Sequence, residues 1–554
     1  MRTLLSLVGC MLILAGCGPQ ACRAQSSDPY DSGGPLMPEQ AAYDVTFYDL
    51  ALNVSPSDST IAGTLTATAR IGAPVDWFVL DLDPRLDVAS VTLLEGGVEA
   101  ALPFERRGGK LWIDLPLTRQ PGEMLTVAVA YGGRPRVAPN PPWDGGFTWA
   151  RTESGAPWIA TSCQGEGADL WWPVKDHPSD EPDSMSIRIT VPDPLVVASN
   201  GRLLGTDANA DGTRTFRWFV STPINVYTVA LNIAPYRTIE DTYTSVAGDA
   251  FPVVFYVLPE DYARGQAFFP EIVDHLRFFE ELLGPYPFRA DKYGVAQTPH
   301  LGMEHQTIIA YGANFDNGAM VGGVDWGFDA LHHHELAHEW WGNLVTNADW
   351  SDMWLHEGFG MYMQTLYVEQ RQGEERARAF MQSLRPIIQN RRAVAPYGSI
   401  PASTSSGDIY YKGAWILQSL RYLIGEDAFF ASLRRMTYLS PAAEQITDGS
   451  QTRFATTDDY RTVAEALSGR DLRWFFEVYL RQPELPRLVS ERDGDTLTLR
   501  WEVPGDLPFP MPVDVEVGGE LQRVEMPEGR AEVSVPPQAE VRVDPLQRVL
   551  KALR

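Results

Sequence analysis

HHHELAHEWWGN at residues 332–343, followed by WLHEGF at residues 354–359, is the most informative part of this 554-residue chain. Only the frame that starts at His334 reads H-E-x-x-H, and its second histidine is His338. In a helix these two residues are one turn apart, so both imidazoles can reach a single ion from one helix face. The spacing therefore predicts a metal site on a helix.

The residues around this motif favour a helix over 328–341. That run contains neither proline nor glycine, Asp325 can cap its start, and Gly342 can end it. His332 and His333 precede the motif frame, and we expect them to be structural rather than metal ligands.

Glu357 is the expected third metal ligand. It follows His338 after the eighteen residues 339–356 and opens a second predicted helix over 355–371. Two imidazoles and one carboxylate leave a fourth zinc position for water, which is the arrangement of a catalytic site. Glu335 is then placed to act as the general base and to pass the proton to the leaving amine. We expect one zinc ion, held by His334, His338 and Glu357.

The region before the motif reads as β-structure. Short runs that alternate apolar and polar residues, such as 43–54 and 185–191, are separated by Gly, Pro and Asp. Regular spacing of such strands is typical of a β-sandwich. We predict an N-terminal β-sandwich-like domain over residues 41–245.

Helical patterns dominate from residue 246 to 485 and predict a mixed α/β catalytic domain there. One helix is expected over 270–283, with Pro270 in its first turn and a stop at Gly284. Alternation returns after Pro486, in the runs 496–503, 513–517 and 531–535. These runs predict a small C-terminal β-domain over residues 486–554.

Residues 1–17 read as a secretory leader of the lipoprotein type. Arg2 precedes an apolar run that is too short to span a membrane, and the run ends in Leu-Ala-Gly-Cys at Cys17. We expect Cys17 to be acylated, with ordinary cleavage near Ala24 as the alternative. Residues 18–40, rich in Gly, Pro, Ser and Asp, are expected to form a flexible tether. The protein is then exported, as a periplasmic or cell-envelope lipoprotein, with the outer membrane as one such location.

Composition limits the remaining functions. The net charge is -27, which disfavours a nucleic-acid partner. Only Cys163 lies beyond the leader region, so no disulfide framework is expected. No protein partner can be inferred.

The paired signature, HELAHEWWGN with WLHEGF, resembles that of the aminopeptidase N family of gluzincins, which includes leukotriene hydrolase. Three further stretches are similar to that family. Residues 302–305 (GMEH) resemble its G-x-M-E-N motif, residues 410–414 (YYKGA) its Y-x-K-G segment, and residues 279–288 (FEELLGPYPF) the segment that leads into the site. The resemblance implies a thermolysin-like catalytic domain.

The resemblance also implies roles for individual residues. Glu304 would bind the free α-amino group of the substrate, with Gly302 and Met303 in the same substrate-binding motif. Tyr410, identified by counting back from Lys412, would donate a hydrogen bond to the developing oxyanion. Gln164 would lie near the first substrate residue.

Two histidines depart from the family pattern. His305 and His356 stand where the family has asparagine, and histidines beside a metal could alter the pH profile. The sequence ends at Arg554, so we do not expect the large C-terminal helical domain of the family, and we expect a more open cleft.

The leading hypothesis from the sequence is an exported zinc aminopeptidase. An endopeptidase, or an epoxide hydrolase on the same site, is the second. A non-catalytic scaffold is the third, and the intact set of zinc residues argues against it.

Overall fold

The N-terminal domain is formed mainly of β-strands in the computed structural model, which describes residues 31–553. A one-turn helix, α1 (Pro38–Ala41), precedes the strands. The strands are β1 (Tyr43–Ser55), β2 (Thr60–Ile71), β3 (Val75–Asp81), β4 (Leu86–Glu95), β5 (Val98–Ala101), β6 (Phe104–Arg107), β7 (Lys110–Arg119), β8 (Met124–Gly133), β9 (Gly146–Arg151), β10 (Pro157–Ser162), β11 (Ser184–Pro192), β12 (Val196–Ala198), β13 (Arg202–Ala208), β14 (Thr213–Val220) and β15 (Asn232–Ala234).

These strands form layered sheets around one apolar core. The largest sheet has the order β13-β14-β11-β1-β2-β8-β4-β5, and smaller sheets have the orders β12-β15-β10-β9 and β3-β7-β6. Along β1 the side chains of Val45, Leu50, Leu52 and Val54 are buried, which is the alternation of a strand with one face on a core. The predicted β-sandwich-like domain is confirmed.

The catalytic domain combines one mixed sheet with a set of helices. Its strands are β16 (Arg237–Thr244), β17 (Ala250–Val257), β18 (Tyr293–Gln297), β19 (Gly302–Met303), β20 (Ile309–Tyr311), β21 (Val345–Asn347) and β22 (Arg453–Ala455). Its helices are α2 (Tyr262–Leu283), α3 (Ala330–Ala337), α4 (Trp354–Gln372), α5 (Glu374–Leu384), α6 (Tyr411–Ile424), α7 (Glu426–Thr437), α8 (Thr457–Ser468) and α9 (Arg473–Phe476). The mixed α/β catalytic domain is also confirmed.

The sheet of this domain starts earlier than the expected boundary at residue 246. Its strand order is β16-β17-β18-β20-β19, and β16 pairs with β17 from Arg237 opposite Val257 to Thr244 opposite Ala250. The expected boundary at residue 246 falls in the hairpin turn between these two strands, after Thr244 and before Ala250. The catalytic sheet therefore takes in residues 237–244.

Helix α2 is longer than its sequence pattern predicts. Pro270 lies in its middle rather than in its first turn. Gly265 and Phe268, in the added N-terminal part, are buried against the sheet, and a Cβ at residue 265 would come within 3.0 Å of Ile239. This packing offsets the hydrogen bond that a proline removes from a helix interior.

Helix α3, which carries the H-E-x-x-H motif, is capped by Asp329 and not by Asp325. The carboxylate of Asp329 accepts a hydrogen bond from the backbone N of His332 at 2.9 Å, so the helix begins later than predicted. After His338 a π-helical turn over Glu339–Leu344 breaks at Gly342, whose φ of 149° favours glycine.

The C-terminal domain consists of short strands that pack on the catalytic helices. They are β23 (Arg487–Asp493), β24 (Thr496–Glu502), β25 (Val513–Val517), β26 (Glu520–Val524), β27 (Arg530–Ser534) and β28 (Val541–Val543). Phe509 lies 5.3 Å from Trp474 and 5.5 Å from Tyr479, measured between ring centroids. The predicted C-terminal β-domain is confirmed, and its core is continuous with that of the catalytic domain.

Residues 31–40, expected to belong to a flexible tether, contact both large domains. The backbone N of Ser32 donates to the carbonyl of Gly165, and that of Gly34 donates to the carbonyl of Ile400. Backbone N–H and C=O groups can form hydrogen bonds whatever side chains a segment has. The composition of residues 31–40 therefore did not predict these contacts. The predicted leader, Cys17 and residues 18–30 lie outside the described residues. Among residues 31–553, no helix is both long and apolar enough to span a membrane.

Candidate metal centre and active site

Three side chains that the sequence analysis assigned to a metal converge in the structure. His334 comes from α3, His338 ends that helix, and Glu357 lies in the first turn of α4. The Nε2 atoms of the two histidines are 3.1 Å apart, and Glu357 Oε2 lies 3.2 Å from His334 Nε2 and 3.6 Å from His338 Nε2. All three residues are buried.

These separations fit a tetrahedral zinc ion. Bonds of about 2.0–2.2 Å to nitrogen and oxygen ligands place the ligand atoms of a tetrahedron roughly 3.3–3.6 Å apart. The backbone carbonyl of Trp341, 3.0 Å away, accepts a hydrogen bond from His338 Nδ1 and so leaves Nε2 free to bind a metal. A Cβ at Gly360 would lie 3.2 Å from the ring of His334, so glycine lets α4 approach the ligands closely.

The site concentrates negative charge. Glu304, Glu335 and Glu357 are 3%, 6% and 2% exposed, and no Lys or Arg within residues 31–553 forms an ion pair with any of them. Burial raises the pKa of all three carboxyls, and that of Glu335 is raised further by the charges of Glu304 and Glu357. A bound cation reverses this effect, because positive charge stabilises the carboxylates.

Glu304 is held in place from several directions. Its Oε1 atom accepts hydrogen bonds from the Tyr227 hydroxyl at 3.0 Å and from the side-chain amide of Gln164. The Asn343 side chain donates to the Glu304 carbonyl at 3.1 Å. Glu339 Oε1 accepts from the backbone N of Thr307 at 2.8 Å and so anchors the far end of the same loop.

Some of these supporting residues were missed from the sequence. Asn343 and Glu339 belong to the quoted motif stretch, but their bonds to the loop of Glu304 span more than thirty residues of chain. Tyr227 lies 77 residues before Glu304, and nothing near it in the sequence marks a functional role.

The other members of the GMEH motif have steric roles in this structure. A Cβ at Gly302 would lie 2.4 Å from Glu335 Oε1 and 2.7 Å from Leu331 Cδ1, so only glycine fits above the Glu335 carboxylate. Met303 is buried and packs with Tyr227 and Ala310. The motif thereby places the loop that carries Glu304 directly on α3.

Tyr410, and not Tyr411, has its hydroxyl in the site. It donates to Glu357 Oε1 at 2.9 Å, and its ring stacks at 6.2 Å from that of His334. Burial and the neighbouring carboxylates raise the pKa of Tyr410 well above its usual value. The phenol therefore stays protonated and remains a hydrogen-bond donor at neutral pH.

The additional histidines are neutral parts of the core. Burial lowers the pKa of His305 to about 3 and holds that of His356 well below its usual value. His356 Nε2 accepts a hydrogen bond from the backbone N of Asn347, and His332 bonds both His275 and Tyr293. An effect of His305 or His356 on the pH profile near neutrality is therefore not expected from this structure.

Comparison with protein families assigns most of this chain. Residues 45–227 match the family model described as the peptidase M1 N-terminal domain, and residues 273–479 match that of the peptidase family M1 domain. The second match contains the metal ligands, Glu304 and Tyr410. The first contains Gln164 and Tyr227.

Several curated proteins are similar in sequence. Endoplasmic reticulum aminopeptidase 1 of Rattus norvegicus is 26% identical over 499 residues, which are 82% of this chain and 52% of that protein. Aminopeptidase B of Rattus norvegicus is 26% identical over 74% of this chain and 66% of its own length. Aminopeptidase N of Streptomyces lividans is 26% identical over 52% of this chain and 35% of its own length. The chain thus spans about half the length of endoplasmic reticulum aminopeptidase 1.

Solved structures share the fold over nearly their full length. The crystal structure of an M1 zinc metallopeptidase from Deinococcus radiodurans is 23% identical with a TM-score of 0.63, covering 80% of this chain and 94% of that one. A two-domain M1 zinc metallopeptidase mutant bound to L-tryptophan is 24% identical with a TM-score of 0.65, covering 82% of this chain and 98% of its own. With both domain matches in the expected order and the metal-ligand residues together in space, the chain belongs to peptidase family M1.

Proposed function

We propose that this protein is a zinc-dependent aminopeptidase that removes N-terminal residues from peptides, with one Zn²⁺ on His334, His338 and Glu357. The charge of the site carries the proposal. Glu304, Glu335 and Glu357 are buried together without a Lys or Arg partner in the described chain. A divalent zinc ion and the ammonium group of a peptide balance three carboxylates.

Glu335 acts as the general base in this proposal. When bound, a zinc ion in such a donor set supplies a Lewis acid that makes water nucleophilic near neutral pH. Glu335 is not part of the three-atom donor set, yet its carboxylate lies within 4.8 Å of ligand atoms of His338 and Glu304. It accepts the proton of the attacking water on a carboxylate oxygen and delivers it to the leaving nitrogen.

Glu304 binds the substrate's α-amino group, and Gln164 lies near the first substrate residue. Glu304 Oε1 already accepts bonds from Tyr227 and Gln164, so the carboxylate is fixed before substrate arrives. The related proteins named above are described as aminopeptidases, and one similar structure contains a bound amino acid. Both features favour an exopeptidase over an endopeptidase.

Paired substrates test this function. We expect rapid release of N-terminal residues from a free tripeptide and little cleavage of its N-acetylated form. A metal chelator should abolish the activity, and added zinc should restore it. Internal cleavage as the main reaction would favour the endopeptidase alternative. Activity that is insensitive to chelation would contradict the zinc mechanism.

Tyr410→Phe should lower kcat with a smaller effect on KM. The hydroxyl is protonated and donates to the metal ligand Glu357, and it contributes most when negative charge develops on the substrate oxygen. Loss of one such donor typically costs about 10²-fold or more in kcat. Tyr411→Phe is the matched control and should leave kcat unchanged. An equal loss in both variants would contradict a specific role for Tyr410.

We also propose that the protein is exported and attached to the cell envelope through an acylated Cys17. The support is the Leu-Ala-Gly-Cys run at the end of the apolar leader, which resembles the signal for N-terminal lipid attachment.

Cys17→Ser should abolish this attachment. We expect the wild-type protein to fractionate with membranes and to carry a lipidated N-terminal cysteine in mass spectra, and we expect the variant to lose both properties. Cys22→Ser is a matched control that should behave as the wild type. An unmodified wild-type N-terminus near Gln25 would contradict lipidation.

A further inference from the structure

A second cavity lies at the junction of the catalytic helices and the C-terminal domain. Its volume is about 440 Å³, within the range of small-molecule sites. Its walls are the C-terminal halves of α4 and α6, one face of α5, strands β25 and β26, and the turn at residues 546–548. The metal ligands and Glu304 are not among the residues that line it.

Part of the charge in this cavity is committed to internal contacts. Arg421 forms two-point hydrogen bonds with Glu369 and with Glu426. Arg523 donates to Glu525 and to the carbonyl oxygens at the end of α6. These arginines hold the walls together and are not available to a ligand.

Asp514, on β25, is an acceptor that remains incompletely satisfied. The residue is 5% exposed, and its Oδ1 atom accepts a hydrogen bond from the Tyr422 hydroxyl at 2.8 Å. Its Oδ2 atom is buried and forms an ion pair with Arg548 Nη1 at 3.7 Å, but it accepts no hydrogen bond within residues 31–553. A buried carboxylate oxygen in this state favours an additional donor.

Arg378 and Gln382 supply unused donors on α5. They are four residues apart and therefore share a helix face, which lines the cavity. The Gln382 Nε2 atom is buried and donates to no group in the described chain. The Arg378 guanidinium forms no ion pair with any residue of the same range. A cation and an amide donor side by side are suited to a carboxylate.

We propose that this cavity binds a free amino acid or a short peptide in its zwitterionic form. Arg378 and Gln382 bind the ligand carboxylate, and Asp514 Oδ2 binds its ammonium group. Apolar atoms of Met381, Trp415 and Leu521 line the same cavity and receive an apolar side chain. Opposite charges on separate walls exclude ligands that lack either charged group.

The cavity lies at the far ends of two helices that also carry site residues. Helix α4 has Glu357 in its first turn and Glu369 at the cavity, while α6 begins beside Tyr410 and reaches the cavity at Tyr422. Free amino acids and short peptides are also the products of the proposed aminopeptidase reaction. Their binding at the cavity does not require that reaction. The two proposals can therefore fail separately.

Calorimetric titration of the full-length, zinc-loaded protein with L-leucine tests the proposal. We expect the wild type to bind one more equivalent of leucine than Asp514→Asn or Arg378→Gln. Each variant loses one charge-assisted contact, so its affinity for leucine at the cavity should fall roughly 10-fold or more. Asp493→Asn removes an exposed carboxylate from the same domain and should bind as the wild type. Leu521→Trp, at a position that is 48% exposed, should block the cavity sterically without removing a charge.

Ligand variants separate the cavity from the active site. Leucinol lacks the carboxylate and has no amide bond that the peptidase could hydrolyse, and N-acetyl-leucine lacks the ammonium, so neither should occupy the second equivalent at leucine concentrations that fill it. Thermal melting checks that each variant is folded. Equal stoichiometry in wild type, Arg378→Gln and Leu521→Trp, or equal binding of N-acetyl-leucine at the second equivalent, would overturn the proposal. Absence of any leucine binding to the wild type would overturn it as well.

Discussion

Glu335→Gln should retain zinc and lose nearly all peptidase activity. His334, His338 and Glu357 converge without any contribution from Glu335, so the metal ligands remain intact in this variant. Glutamine has the size of glutamate, which matters because Gly302 leaves space for this side chain and no more. Removal of the general base should lower kcat by about 10²–10⁴-fold. Elemental analysis and peptide turnover measure the two properties on the same sample.

Two further variants make this result specific. His334→Ala should lose both zinc and activity, because it removes a ligand that is 3.1 Å from one partner atom and 3.2 Å from the other. Glu335→Asp keeps the charge but withdraws the carboxylate, and its activity should fall between those of Glu335→Gln and wild type. Near wild-type turnover by Glu335→Gln would mean that Glu304, the other carboxylate close to His338, accepts the proton.

The sequence was sufficient for the residues that carry the proposed chemistry. Helical spacing predicts that His334 and His338 share a helix face, and the motif pair predicts Glu357 beside them, as the structure has them. The order of the three domains also followed from the change between two-residue and helical periodicity. Both signals are local, so a single sequence contains them.

The supporting contacts did not follow from the sequence. Tyr227 meets Glu304 across 77 residues, and Ser32 meets Gly165 through backbone atoms that have no sequence signature. Pro270 predicted a helix start at residue 270. The helix instead begins at Tyr262, because Gly265 and Phe268 pack against the sheet. Each of these features depends on tertiary contacts, which local patterns do not encode.

In the proposed function, the position of Glu304 is the reason that the site favours the first peptide bond. Glu304 is 3% exposed, its carboxylate lies within 4.8 Å of ligand atoms of Glu335 and His338, and it forms no ion pair with a Lys or Arg in residues 31–553. A substrate ammonium that binds there limits how far the peptide enters the cleft. The bond after the first residue is then the one that reaches Glu335.

Glu304→Ala should remove most of the preference for free N-termini. A hydrogen bond to a charged group contributes about 1.5–3 kcal/mol, so kcat/KM for a free tripeptide should fall roughly 10–150-fold. The N-acetylated tripeptide cannot form this bond, and its slow cleavage should change little.

Tyr227→Phe keeps the Glu304 charge but removes the hydroxyl that holds Oε1 at 3.0 Å, so a smaller loss in the same direction is expected. Glu304→Asp should keep only part of the preference for the free tripeptide, because the shorter side chain moves the carboxylate away from Tyr227 and Gln164. A wild-type enzyme that cleaves both tripeptides equally, or an equal loss on both in Glu304→Ala, would show that Glu304 does not recognise the amine.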